Sequence, residues 1–76
     1  MIIFSKHAEL KIAERKLPRQ KIRDTILHPD FTAPSYNLRE ELFKRFVPRY
    51  MKVVIKRGRN NIIVITAHWV ARLPKK

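Results

Sequence analysis

The spacing of apolar and polar residues changes partway along the chain, and the change predicts helices first and strands afterwards. From Lys6 to Lys16 the residues are good helix formers, with neither Gly nor Pro among them. Ser5 suits the N-cap of this helix, and Phe4 sits where a hydrophobic staple would. Leu10, Ala13 and Leu17 recur at i, i+3 and i+7 as an apolar stripe, with His7, Lys11 and Glu14 on the stripe beside it. Leu17-Pro18 ends the helix, because the residue before a Pro is pushed out of the helical region. Pro18 then suits the first turn of a second helix that runs to about Leu27, with Ile22 and Ile26 one turn apart. His28-Pro29-Asp30 closes it.

After Phe31 the period shortens. Thr32 to Asn37 reads as a weak strand broken by Pro34, which places it at an edge or in a loop. Glu41 to Val47 is more strand-like and stops at Pro48, and Tyr50 to Lys56 is strand by its β-branched content. Arg57-Gly58-Arg59-Asn60 puts the single Gly at a hairpin turn. Asn61 to Trp69 is the longest and most apolar strand and is expected at the centre of the sheet. Simple alternation places Ile63, Ile65 and Ala67 on one of its faces and Ile62, Val64, Thr66 and His68 on the other. Arg72 to Lys76 is a polar tail. The expected fold is α+β, two N-terminal helices packed on a three- to four-stranded antiparallel sheet, in a single domain over residues 1–76.

Composition limits the chemistry. With 76 residues, a chain buries only about 60% of its unfolded surface, so the core is thin. The absence of Cys excludes disulfides, thiolate metal sites and cysteine nucleophiles. No apolar run approaches the roughly 18 residues of a membrane span, so a soluble, cytoplasmic protein without membrane contact is expected. The three His and six carboxylates show no metal-ligand spacing, and one Gly cannot make a nucleotide-binding loop, so neither a metal nor a cofactor is expected.

Charge points to a partner. Eighteen Lys and Arg oppose six Asp and Glu, giving +12. All six acids lie between Glu9 and Glu41; from Leu42 to Lys76 there are ten cations and no acid. Such a half-chain fits a polyanion, whose condensed counterions it releases, or an acidic protein. One reaction suits a small basic scaffold of this kind. In metal-independent RNA cleavage the substrate's own 2′-hydroxyl is the nucleophile, and the protein supplies an acid, a base and cations around the phosphate.

The segments Phe4-Ser5-Lys6-His7-Ala8-Glu9-Leu10-Lys11, Glu14-Arg15-Lys16 and His28-Pro29-Asp30 resemble a family of short uncharacterised domains. Its members open with Ser-x-His-Ala-x-x-Arg, carry a second basic residue one turn on, and place Pro-Asp after the second helix. Arg49 to Ile55 and Ile63 to Trp69 are similar to the same family's last two strands, which end Val-x-Thr-Ala-Tyr. That family is grouped with the RelE-like and barnase-like ribonucleases, which include the toxins of toxin–antitoxin pairs. The resemblance implies a helices-then-sheet fold and an RNase site at His7, Lys11, Arg15, Lys52 and Thr66. His7 would be general base or acid, and Lys11, Arg15 and Lys52 would stabilise the phosphate. Lys11 stands where the family more often has Arg, which keeps the charge but loses bidentate contact, and His68 replaces the common Tyr. Arg45, Arg49, Tyr50, Lys56, Arg57, Arg59 and His68 are the expected RNA contacts. The expected partners are RNA, free or on the ribosome, and an acidic antitoxin. Two other functions fit the same residues: a non-catalytic RNA- or ribosome-binding module, and a basic protein that pairs with an acidic partner.

Overall fold

A computed structural model describes residues 1–74; Lys75 and Lys76 of the expected tail lie outside the described residues. The elements are β1 (Ile2–Phe4), α1 (Lys6–Arg15), α2 (Arg19–Leu27), β2 (Phe31–Pro34), β3 (Arg39–Phe46), β4 (Arg49–Arg57) and β5 (Ile62–Val70), with a 3-10 turn at Tyr36–Leu38. The class is the expected α+β, but among the described residues the sheet has five strands and is mixed, in the order β1-β5-β4-β3-β2. β1 pairs parallel to β5 through Ile2–Ile62, Ile3–Ile63 and Phe4–Val64, and the other neighbours are antiparallel. Phe4 is therefore a strand residue packed against the core rather than a helix staple. β4 takes the middle of the sheet, and β5, expected there, lies beside it.

Ser5 turns the chain from β1 into α1. Its Oγ accepts from the Ala8 N–H at 3.0 Å, satisfying one of the orphan donors of the first turn. Its own N–H donates to the Val64 carbonyl at 3.1 Å, and its hydroxyl donates to the Ile65 carbonyl at 3.4 Å. At the other end Lys16 adopts a left-handed conformation and Leu17 is buried, so the two helices join at a packed corner. Pro18 is the N-cap of α2 rather than its first helical residue; its carbonyl accepts from Lys21 and Ile22. Asp30 then ties the end of α2 to β3, its N–H donating to the Phe43 carbonyl and its carboxylate accepting from the Arg45 N–H at 2.9 Å.

Both helices cover one face of the sheet. Ala8 and Ile12 of α1, Leu17, and Ile22 and Ile26 of α2 pack on Leu42, Met51, Val53, Ile55, Val64 and Ala67. The inward stripe of α1 is thus Ala8–Ile12, and Leu10, expected inside, is 57% exposed. Among the described residues the one buried polar residue, Thr25, donates its hydroxyl to the Lys21 carbonyl at 2.7 Å. Alternation along β5 is broken by a bulge. Val54 pairs with Thr66 and Ile55 with Val64, which leaves Ile65 as an extra residue. Past it the faces exchange, so Ile62, Val64, Ala67 and Trp69 face the helices, while Thr66 and His68 face away. This corrects the simple alternation, which grouped Val64 with Thr66 and His68. Among the described residues no helix is long and apolar enough to cross a membrane.

Ser5 contacts the helix start and the bulge at once. Ser5→Ala is expected to destabilise the fold by about 1–2 kcal/mol, the upper range of an N-cap loss, as measured by urea unfolding. A change below the resolution of that measurement would show that neither contact matters to stability.

Candidate functional site

Among the described residues no helix covers the second face of the sheet, and the candidate chemistry lies there. Strand register places Lys52 directly opposite His68, and Val54 opposite Thr66, so His68, Thr66 and Lys52 share this face. On the other side of β4, Phe43 lies opposite Lys52 and Glu41 opposite Val54. Phe43 is buried, its ring 5.8 Å from that of Phe31, and the Lys52 ammonium sits 5.8 Å above the Phe43 ring. This apolar floor holds the lysine stem while its head stays accessible. The Lys52 Nζ lies 3.7 Å from a Glu41 carboxylate oxygen, each side chain 24% exposed.

Arg15 reaches this group from the last turn of α1. β1 covers β5 only as far as Val64, leaving the later carbonyls of β5 along an open edge. The Arg15 guanidinium donates to one of them, the Ala67 carbonyl, at 2.8 Å. It thereby brings a fixed positive charge to the residue before His68. Burial and the charges of Lys52 and Arg15, in that order, lower the His68 pKa below 6.5, and Glu41 opposes them. At neutral pH His68 is therefore a neutral imidazole near two cations, able to accept a proton.

The expected residues separate into groups. Lys52, Thr66, His68 and Arg15 come together. His7 and Lys11 lie on the same stripe of α1 as Arg15, but His7 is eight residues earlier, about 12 Å along the helix axis. His7 is exposed, and Lys11 pairs with Glu14 at 3.2 Å. Arg45 and Tyr50 face each other across the β3–β4 hairpin on the helix-free face, and Lys56 continues that face at the far end of β4. Arg59 lies in the exposed β4–β5 loop. Arg49 and Arg57 are on the helix side instead. The Arg49 guanidinium stacks 4.3 Å from the centre of the Trp69 ring, and Arg57 pairs with Glu40 at 2.7 Å. Gly58 fits its loop because the Asn61 side chain fills the space of a Cβ, with no left-handed backbone involved.

Glu41 was missed in the sequence, where it counted only against the net charge. The signal was present in the hairpin. Counting outward from the turn at Val47-Pro48 puts Glu41 opposite Val54, one pleat away from Lys52.

A family model matches residues 4–69 of the chain. The chain belongs to the family described as a domain of unknown function, DUF4258. The match takes in every residue of the site, from Arg15 on α1 to His68 on β5. No curated protein and no solved structure matches the chain. For this DUF4258 domain, function has to be argued from the arrangement of its own side chains.

The charges around His68 give a direct check. Titrating the His68 ring protons by NMR should return a pKa below 6.5. Lys52→Met removes a cation and should raise that value; Glu41→Gln removes the opposing carboxylate and should lower it further. Shifts of the opposite sign would show that the three groups do not act on one another as described.

Proposed function

We propose that this DUF4258 domain is a metal-independent endoribonuclease of RelE-like or barnase-like type, with its site on the helix-free face of the sheet. The observation that carries the proposal is a neutral histidine placed opposite a lysine and beside an arginine, with a carboxylate holding the lysine. The resemblance of the sequence to that ribonuclease superfamily and the net charge of +12 support it.

In this mechanism His68 takes the proton from a ribose 2′-hydroxyl. The 2′-oxygen attacks the adjacent phosphorus, and the bond from phosphorus to the 5′-oxygen breaks. The products are a 2′,3′-cyclic phosphate and a 5′-hydroxyl, the leaving oxygen taking its proton from water on the open face. Lys52 and Arg15 oppose the charge that builds on the non-bridging oxygens, where fixed cations beside a partly desolvated site act most strongly. Glu41 keeps the Lys52 head over the face. Thr66, two residues before His68, offers a hydroxyl to the same phosphate. His7 and Lys11 extend the cationic track along α1. A toxin of this design would be held inactive by an acidic antitoxin laid over the same cations, and this is the partner class that the charge favours.

Cleavage of a labelled RNA pool in EDTA tests the proposal. His68→Ala and Lys52→Ala should each lower the rate by about 100-fold or more, the usual worth of an acid–base or charge-stabilising group. His7→Ala should retain most activity. Because the base must be neutral, kcat/KM should rise with pH through a value below 6.5 and be level at pH 7. Cleavage that persists in His68→Ala but vanishes in His7→Ala would move the site to α1. Salt-sensitive RNA binding without cleavage would support the non-catalytic module, and neither binding nor cleavage would leave the acidic-partner function.

A further inference from the structure

The β2–β3 connection is built against local preference. Its turn, Tyr36–Leu38, is closed by the Ser35 N–H donating to the Arg39 carbonyl at 2.9 Å. Asn37 and Leu38 both adopt left-handed backbone, with φ of 56° and 62°. Asn tolerates that conformation; Leu does so at a cost, because its Cβ crowds the following carbonyl. The result is that two large side chains stand in solvent, Tyr36 at 87% and Leu38 at 88% exposed. Strain at a tip that buries nothing asks for a ligand.

The surroundings specify its chemistry. Arg39, the next residue, lies opposite Lys56 on β4, on the same face as Lys52 and His68. Nearby Arg57 is neutralised by Glu40, but among the described residues neither Arg39 nor Lys56 has a carboxylate partner. Lys56 is four residues from Lys52, about 13 Å along β4 and several stacked-nucleotide steps of about 3.4 Å. An exposed aromatic ring at a hairpin tip that leads into a cationic strand pair, Arg39 and Lys56, on the face of Lys52 and His68 is an arrangement suited to extended single-stranded nucleic acid.

We propose that Tyr36, Leu38, Arg39 and Lys56 form a second subsite for single-stranded RNA, in which a base stacks on Tyr36 and a neighbouring phosphate meets Arg39 and Lys56. The inference rests on the proposed ribonuclease function and adds its substrate: an unpaired strand several nucleotides long, running along β4 from the Lys52–His68 pair to the β2–β3 tip. A duplex would keep its bases stacked within itself and leave the tip without a partner.

The test is fluorescence anisotropy with a 2′-O-methylated RNA octanucleotide, which cannot be cleaved, and with the matching trinucleotide. Tyr36→Ala should weaken the octanucleotide by about 10-fold, within the range for loss of one base stack, and leave the salt dependence unchanged. Tyr36→Phe, which keeps the ring, should bind like the wild type. Lys56→Ala should instead lower the slope of log affinity against log salt by about 0.7, one phosphate contact on a single strand. The trinucleotide, too short to join both subsites, should bind all of these proteins alike. Leu38→Gly relieves the backbone and should raise Tm by several degrees while weakening the octanucleotide. If the wild type binds the octanucleotide and Tyr36→Ala and Lys56→Ala bind it equally well, the subsite is overturned and the ribonuclease proposal stands. If the wild type binds neither oligonucleotide, the ribonuclease proposal fails and takes the subsite with it. Liposome binding that Tyr36→Ala abolishes, with RNA binding unaffected, would overturn the subsite in favour of a membrane contact.

Discussion

What β5 brings to the helix-free face, Thr66 and His68, depends on one extra residue, Ile65. Strand side chains alternate strictly, so a single inserted residue exchanges the faces of all that follow. Before Ile65 the inward positions are Ile62 and Val64; after it they are Ala67 and Trp69. Without the bulge the helices would meet Thr66 and His68, and Ala67 and Trp69 would face outward. A histidine would then be buried in the apolar core at a large desolvation cost, and the core would lose its aromatic edge. Ser5 secures the arrangement from outside, accepting from Ala8 while donating to the carbonyls of Val64 and Ile65.

The same geometry explains how a strongly cationic chain divides its charge. On the helix side several cations have local partners: Arg19 pairs with Glu9, Arg57 with Glu40, and Lys21 and Arg49 lie over the rings of Phe46 and Trp69. These contacts cover apolar surface and absorb charge. On the opposite face, among the described strand residues, Glu41 is the one acid against Arg39, Arg45, Lys52 and Lys56. Arg15 belongs to both worlds. Its helix packs with the core, yet its guanidinium crosses the open edge of β5 to reach the Ala67 carbonyl and the field at His68. A positive face with a neutral imidazole at its centre is suited to an anion that must lose a proton nearby.

The sequence showed the helices and the long strands because their signals are local. Ser5 and Pro18 mark the two helix starts, and the Val-Val-Ile and Ile-Ile-Val-Ile runs mark β4 and β5. It did not show β1, since three residues carry no period and the parallel pairing to β5 joins opposite ends of the chain. The α1 stripe was ambiguous: Ala8–Ile12 and Leu10–Ala13–Leu17 are both apolar, and only the sheet beneath decides between them. The bulge has no Gly or Pro to announce it, so simple alternation rightly joins Thr66 to His68 but wrongly adds Ile62 and Val64 to their face. Lys52 and Thr66 came from family resemblance, whereas their meeting with His68 and Glu41 is a property of register. Arg49 and Arg57 looked like their basic neighbours in sequence and were separated only by the pleat.

Trp69 and His68 are adjacent in sequence and lie on opposite faces, which makes them natural reporters for the central claim. An NMR titration with an uncleavable 2′-O-methylated dinucleotide would follow the His68 ring protons and the Trp69 indole N–H in one experiment. Binding on the helix-free face should move the His68 resonances and leave the indole in place. Movement of the indole with His68 unchanged would put the ligand over Arg49 and Lys21 on the helix side, and would contradict the account.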